Sequence, residues 1–210
     1  MSGTPTKENA QMVQHVVAEP AGLGLLGLAM VTLVASSQKL GWTTGVSYVL
    51  PWAIFLGAFA QLAASIYDFK RNNIFGGTAF GGYAFFWFGV AMSWMIKLGM
   101  FGKAAAETAD GKQLGFAFLG YLIFSLYMTI ASLETNKVLF TIFFLIDLLF
   151  IGLSLSTLTT GSLAEMGHKL AAWSELVISI CSFYGSAATV INHHIGRTVL
   201  SVGKPFGILK

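Results

Sequence analysis

Six stretches of this chain each run for roughly twenty residues with almost no charge, the length needed to cross the ~30 Å hydrocarbon core of a bilayer as a helix. They are Ala21–Gln38, Val46–Tyr67, Thr78–Met100, Leu114–Ser132, Val138–Leu158 and Ala171–His193. Lipid supplies no hydrogen bonds to the peptide groups, so a spanning segment is a helix or part of a closed barrel. A barrel would show alternating strands of about ten residues, whereas these runs are continuous. The expected fold is an all-α integral membrane protein of six transmembrane helices.

Composition agrees. Of 210 residues, 55% are hydrophobic and 10% charged, with a mean hydropathy of +0.73. Soluble domains carry about 25% charged residues, and this chain has too few to cover a water-facing surface. The expected division is an N-terminal cytoplasmic tail over 1–18, the six-helix domain over 19–193 and a C-terminal cytoplasmic tail over 194–210. The first 18 residues have neither an apolar core nor a cleavage site of a secretory signal, and suggest a helical turn near Met12–Val17. A net charge of +3 without a basic stripe argues against nucleic-acid binding. The single cysteine, Cys181, lies in an apolar run and has no partner for an intramolecular disulfide.

An even number of spans places both termini on one side. With the termini inside, Lys7, Lys70, Arg71, Lys137, Arg197, Lys204 and Lys210 are cytoplasmic, and Lys39, Lys97, Lys103, Lys112 and Lys169 are outside. That bias favours cytoplasmic termini. Trp42, Trp52, Trp94 and Trp173 fall near span ends, as an aromatic belt requires. In span two, Ala53, Gly57, Ala60 and Ala64 form a small-residue face that suits close helix contact, within one bundle or between subunits.

Few residues inside the spans can carry chemistry. Span one opens Glu19-Pro20-Ala21-Gly22-Leu23-Gly24-Leu25. Proline fits a first helical turn, and a helix N-terminus in a membrane cavity offers N–H groups to an anion. Asp147 stands at the centre of span five; a charge there costs roughly 2.5–3.5 kcal/mol on insertion scales, so such residues face the bundle interior and either serve a pathway or tie two helices together. Gln61 and Tyr83 present the same choice. Glu175, about one turn into span six, is expected at a hydrated vestibule or surface. His193 and His194 are adjacent and lack the spacing of metal ligands. Asn73–Thr78 contains glycines without the Gly-Lys-Ser/Thr ending of a phosphate loop. No metal and no cofactor is expected.

Several segments together carry a resemblance. Pro20-Ala21-Gly22-Leu23-Gly24-Leu25 resembles the Asn-Pro-Ala-Pro-Leu-Gly-Leu signature of the acetate uptake transporter family, the YaaH-type acetate–succinate permeases. Gly57, Gln61, Phe69-Lys70-Arg71-Asn72-Asn73, Phe75-Gly76, Thr78-Ala79-Phe80, Tyr83 and Phe86-Trp87 are similar to its second-to-third span region. Asn192 with Gly196-Arg197-Thr198-Val199-Leu200 resembles its C-terminal end, and the pieces fall in order across nearly the whole chain. The resemblance implies a homo-hexamer in the inner membrane, each subunit with a central pore, and uptake of acetate and often succinate, either proton-linked or channel-like. It also implies an apolar constriction of one residue each from spans one, three and five, here Leu28, Tyr83 and Ile146. Glu19, Pro20, Leu23, Gly24, Gln61, Phe86 and Asp147 complete the candidate pore set, with Tyr83 the best hydrogen-bond donor at the neck.

Two departures bear on that expectation. Glu19 replaces the signature asparagine and Gly22 its second proline. A carboxylate beside an anion site repels an anionic substrate unless it is protonated or turned away. Leu28 stands where relatives usually carry phenylalanine, which implies a wider or differently shaped neck. The alternative reading of the same architecture is a channel for neutral amides or urea. A membrane-embedded enzyme would need a clustered catalytic or metal constellation, and the sequence contains none.

Overall fold

The computed structural model describes residues 17–209, so most of the turn expected at Met12–Val17 lies outside the described residues. Six helices are long and apolar enough to cross a membrane: α1 (Ala21–Lys39), α2 (Val49–Lys70), α3 (Ile74–Lys97), α4 (Gly111–Ser132), α5 (Lys137–Leu158) and α6 (Ser162–Ile195). A short helix, Lys103–Glu107, lies in the α3–α4 connection. Among the described residues there is no strand.

Consecutive helices pack side by side, and α6 returns to α1 to close a ring. Two hydroxyls seal that closure: Ser179 donates to the Ala29 carbonyl at 2.8 Å and Ser186 to the Gly22 carbonyl at 2.7 Å. Hydroxyl-to-carbonyl bonds of this kind hold helices together where apolar surroundings on both sides leave little hydrophobic gain. Between α3 and α4 close backbone approaches are few, and aromatic rings fill the gap. Phe86 meets Tyr121 edge-on at 5.0 Å, and Tyr83 meets Phe124 at 5.3 Å.

Two boundaries and the internal geometry of one helix differ from expectation. Helix α3 begins at Ile74 rather than Thr78, because the Asn73 side chain caps it by accepting the Gly76 N–H at 3.1 Å. Helix α2 contains a π-helical stretch, Ala53–Ala60, which ends immediately before Gln61. Helix α6 starts at Ser162, within the stretch read as a polar joint, and spans 34 residues. At 1.5 Å per residue it is far longer than the hydrocarbon core is thick. Glycine explains this extension: a Cβ on Gly152 would lie 2.6 Å from the Gly167 carbonyl oxygen, so α5 and α6 approach backbone to backbone across the supposed joint. The small face of α2 serves the bundle itself, with Trp87 of α3 seated over Gly57.

The C-terminal segment is pinned to the same end as the chain's entry into α1. Val138 N–H donates to the Val202 carbonyl at 3.2 Å, Phe206 N–H to the Leu133 carbonyl at 2.9 Å, and Tyr184 hydroxyl to the Ser201 carbonyl at 2.7 Å. The opposite end corrects one expectation. Glu175 is not a hydrated vestibule residue: it is 1% exposed, and its Oε2 accepts from Lys39 Nζ at 2.8 Å, tying α6 to the end of α1. Lys39, last residue of α1, reaches inward instead of into the interface.

Removing one member of a buried ion pair leaves the other uncompensated. Glu175→Leu should therefore destabilise the protein by about 3 kcal/mol, seen as a lower melting temperature in detergent. The double variant Lys39→Met/Glu175→Leu should recover most of that loss.

Candidate functional site

Inside the ring, α1, α2, α3 and α5 enclose a cavity of about 80 Å³ on the side of the chain termini. A second, much smaller void of about 10 Å³ lies deeper, among residues that include Thr32, Trp87 and Leu149. That volume barely holds one water. Leu28, Tyr83 and Ile146 line both. They are 6%, 4% and 3% exposed, and together form a dry apolar neck between the two spaces. The three residues that the resemblance placed at a constriction are thus brought together.

The upper cavity is walled mainly by Leu25, Phe80, Ile142 and Phe143, with few polar groups. Gln61 is one of them, with Asp68 and Asn73. It is 0% exposed, and neither amide atom has a hydrogen-bond partner. A buried amide left unpaired costs several kcal/mol in a wholly apolar setting, roughly 2–7 by reference state. Its position beside an open space explains its survival, because a guest can supply both missing bonds. The π-helical turn that delivers Gln61 is a distortion common at functional sites.

The remaining candidates are distributed. Pro20 is buried at the cap of α1, and its carbonyl accepts from Leu23 and Gly24 N–H at 3.0 and 3.1 Å. The Ala21 N–H is not open to a guest, since the Glu19 side chain accepts from it at 3.2 Å. The other Glu19 oxygen pairs with Arg71, so this carboxylate is turned away from the cavity and neutralised. Gly24 lies beneath the Phe80 ring, which occupies the space a side chain would need. Leu23 is 48% exposed, on the outside of the bundle and away from the cavity. Phe86 lines only the deeper void.

Two neck-level groups behave differently from expectation. The Tyr83 hydroxyl shares a hydrogen bond with the Ser125 hydroxyl of α4 at 3.1 Å, in which either group can donate, so the hydroxyl is tied to α4 while the ring lines both spaces. Asp147 is 6% exposed but lines neither cavity; it accepts from the Thr129 hydroxyl of α4 at 2.7 Å. Sequence reasoning assigned no role to Asp68, which lines the upper cavity and is 0% exposed. The available signal was spacing: Asp68 follows Gln61 by seven residues, two helical turns, on one face.

The model of the GPR1/FUN34/yaaH family matches residues 1–203. The chain is 33% identical over 190 residues to the succinate-acetate/proton symporter SatP of Escherichia coli K12, across 90% of this chain and 96% of that one. It is 30% identical over 143 residues to acetate permease A of Emericella nidulans, covering 64% and 47% of the two chains. A solved structure of the bacterial acetate channel SatP superposes with a TM-score of 0.81 at 30% identity, over 90% of this chain and 100% of that one.

If Leu28, Tyr83 and Ile146 form the barrier, trimming one should join the two spaces. In a Cys181→Ser background, Thr32→Cys should resist a small water-soluble thiol reagent. Adding Leu28→Ala should make it label to completion, and persistent protection would place the barrier elsewhere.

Proposed function

The chain belongs to the GPR1/FUN34/yaaH family, and on that footing we propose that it is a permease for small carboxylates, acetate and succinate first among them. The observation that carries this reading is the unpaired amide of Gln61 in the lining of a small, mainly apolar cavity, on the termini side of the neck. Nε2 is a donor and Oε1 an acceptor. A carboxylate takes the first; a protonated carboxylic acid takes both, as two complementary hydrogen bonds. Burying an ionised carboxylate without partners costs far more than burying its neutral acid. A dry neck of leucine, isoleucine and an aromatic ring therefore favours passage in the neutral form, and with it a proton-linked mode.

The same proposal includes an inner-membrane location, cytoplasmic termini and a homo-hexamer in lipid. The distribution of basic residues supports the orientation. The outer face of α4, with Phe116, Ile123 and Ile130 all more than half exposed, suits lipid or a neighbouring subunit. Asp147 belongs to the proposal as a residue that tunes permeation. Ser125 lies beside its carboxyl and also holds the Tyr83 hydroxyl, so Asp147 acts on the neck through the wall that Tyr83 forms.

The test is uptake of labelled acetate into proteoliposomes, competed by succinate and by urea. Saturable entry blocked by succinate and not by urea is the expected result. Gln61→Leu should lower it roughly 5- to 100-fold, the loss of two hydrogen bonds to the neutral acid at about 0.5–1.5 kcal/mol each. No acetate entry through folded protein would move the reading to a channel for neutral amides or urea. Asp147→Asn should lower flux several-fold; unchanged flux and pH profile would remove Asp147 from the pathway.

A further inference from the structure

Asp68 is a buried carboxyl that the neck does not use. Its Oδ1 accepts from Asn73 Nδ2 at 2.9 Å, which fixes the group's orientation. Its Oδ2 has no hydrogen-bond partner. That oxygen rests against Gly76, where any Cβ would collide with it, so the chain keeps a glycine at the place where the oxygen lies. Asp68, Asn73, Gly76 and Gln61 all line the same cavity. Seven residues of helix separate Asp68 from Gln61, a rise of about 10.5 Å along one face. The carboxyl thus stands at the cavity's entrance and the amide deeper along its lining.

The charged groups around Asp68 are few. Glu19, from the segment before α1, and Arg71, just past the end of α2, face it, and these two already pair with each other. From α3 comes the neutral Asn73, and α1 and α5 contribute apolar side chains such as Leu25, Leu139 and Ile142. No cation is committed to Asp68. An ionised Asp68 would repel an incoming anion, whereas a protonated one would offer it a donor.

We propose that Asp68 is the proton-donating entry site of this permease. The inference rests on the carboxylate reading above. An anion entering from the termini side is received by the Oδ2–H. The O–H bond to Asp68 breaks as one to the substrate carboxylate forms, and the neutral acid moves down the α2 face to Gln61 and through the neck. Asp68, left ionised, takes its next proton from water on the termini side. One proton accompanies each carboxyl group, and nothing is oxidised or reduced.

Acetate entry into proteoliposomes, corrected for protein-free vesicles, tests this across a pH series alongside a trapped pH dye that reads proton movement. Wild type should take up acetate faster at acid pH, with proton co-movement. Asp68→Asn preserves the acceptor for Asn73; it should elute monodisperse with its uptake largely independent of pH and its proton signal lost. Asp68→Glu keeps an acid at the entrance and should restore the proton signal. If Asp68→Asn does not fold, the comparison falls to Asp68→Glu, whose pH profile should be displaced from wild type. A folded Asp68 variant with the wild-type profile and proton signal overturns the entry site while leaving the permease reading standing. Absence of acetate entry in wild type overturns both.

Discussion

A hydrocarbon surrounding offers no hydrogen bonds, and that constraint sorts every polar group in this chain. Peptide groups are satisfied within helices. Side-chain hydroxyls turn inward to carbonyls, as Ser179 and Ser186 do across the α1–α6 seam. Glu175 and Lys39 settle on each other. Among the described residues, buried side-chain atoms of Gln61, Asp68, Asp147, Ser154 and Ser182 have no hydrogen-bond partner, and of these five residues Gln61 and Asp68 border the termini-side cavity. In the proposed permease, it is this shared border that marks the two as groups a passing substrate would meet.

The neck and the cavity divide the work of selection. In the proposed permease, the buried apolar neck of Leu28, Tyr83 and Ile146 would hold back water and ions. Gln61 and Asp68, on the termini side of it, would recognise the substrate by chemistry first. Tyr83 joins the two layers, because its ring shapes the barrier while its hydroxyl is anchored through Ser125 to the α4–α5 contact that holds Asp147. The Glu19–Arg71 pair shows how a departure from the family signature is absorbed. The added negative charge is matched by a cation two helices along the chain, and its second oxygen caps α1.

Much of the architecture was legible in the sequence because hydropathy and length are local properties. All six spans were placed, with errors confined to their ends. The errors have local causes that a window cannot see. An asparagine cap moved the start of α3, and the Gly152–Gly167 crossing carried α6 through a polar stretch. Site residues divided along another line. Leu28, Tyr83 and Ile146 were reached through motif order, and the structure brings them together. Leu23 and Glu175 were misplaced because facing direction depends on which neighbour a helix meets, and a single helix does not carry that. Asp68 escaped notice because it sat at a presumed boundary, where an acidic residue looks like ordinary solvent-facing punctuation.

The closure of the ring between α1 and α6 has a consequence for how this protein is made. The first and last helices to leave the ribosome are the two that seal the bundle, through Ser186 on Gly22 and Ser179 on Ala29. Until α6 has entered the bilayer, the ring stays open between α1 and α5, and the deeper void lacks the wall that Ile178 provides. A chain that stops before α6 is therefore an open arc of helices, whose first and fifth members lack the neighbour that joins them.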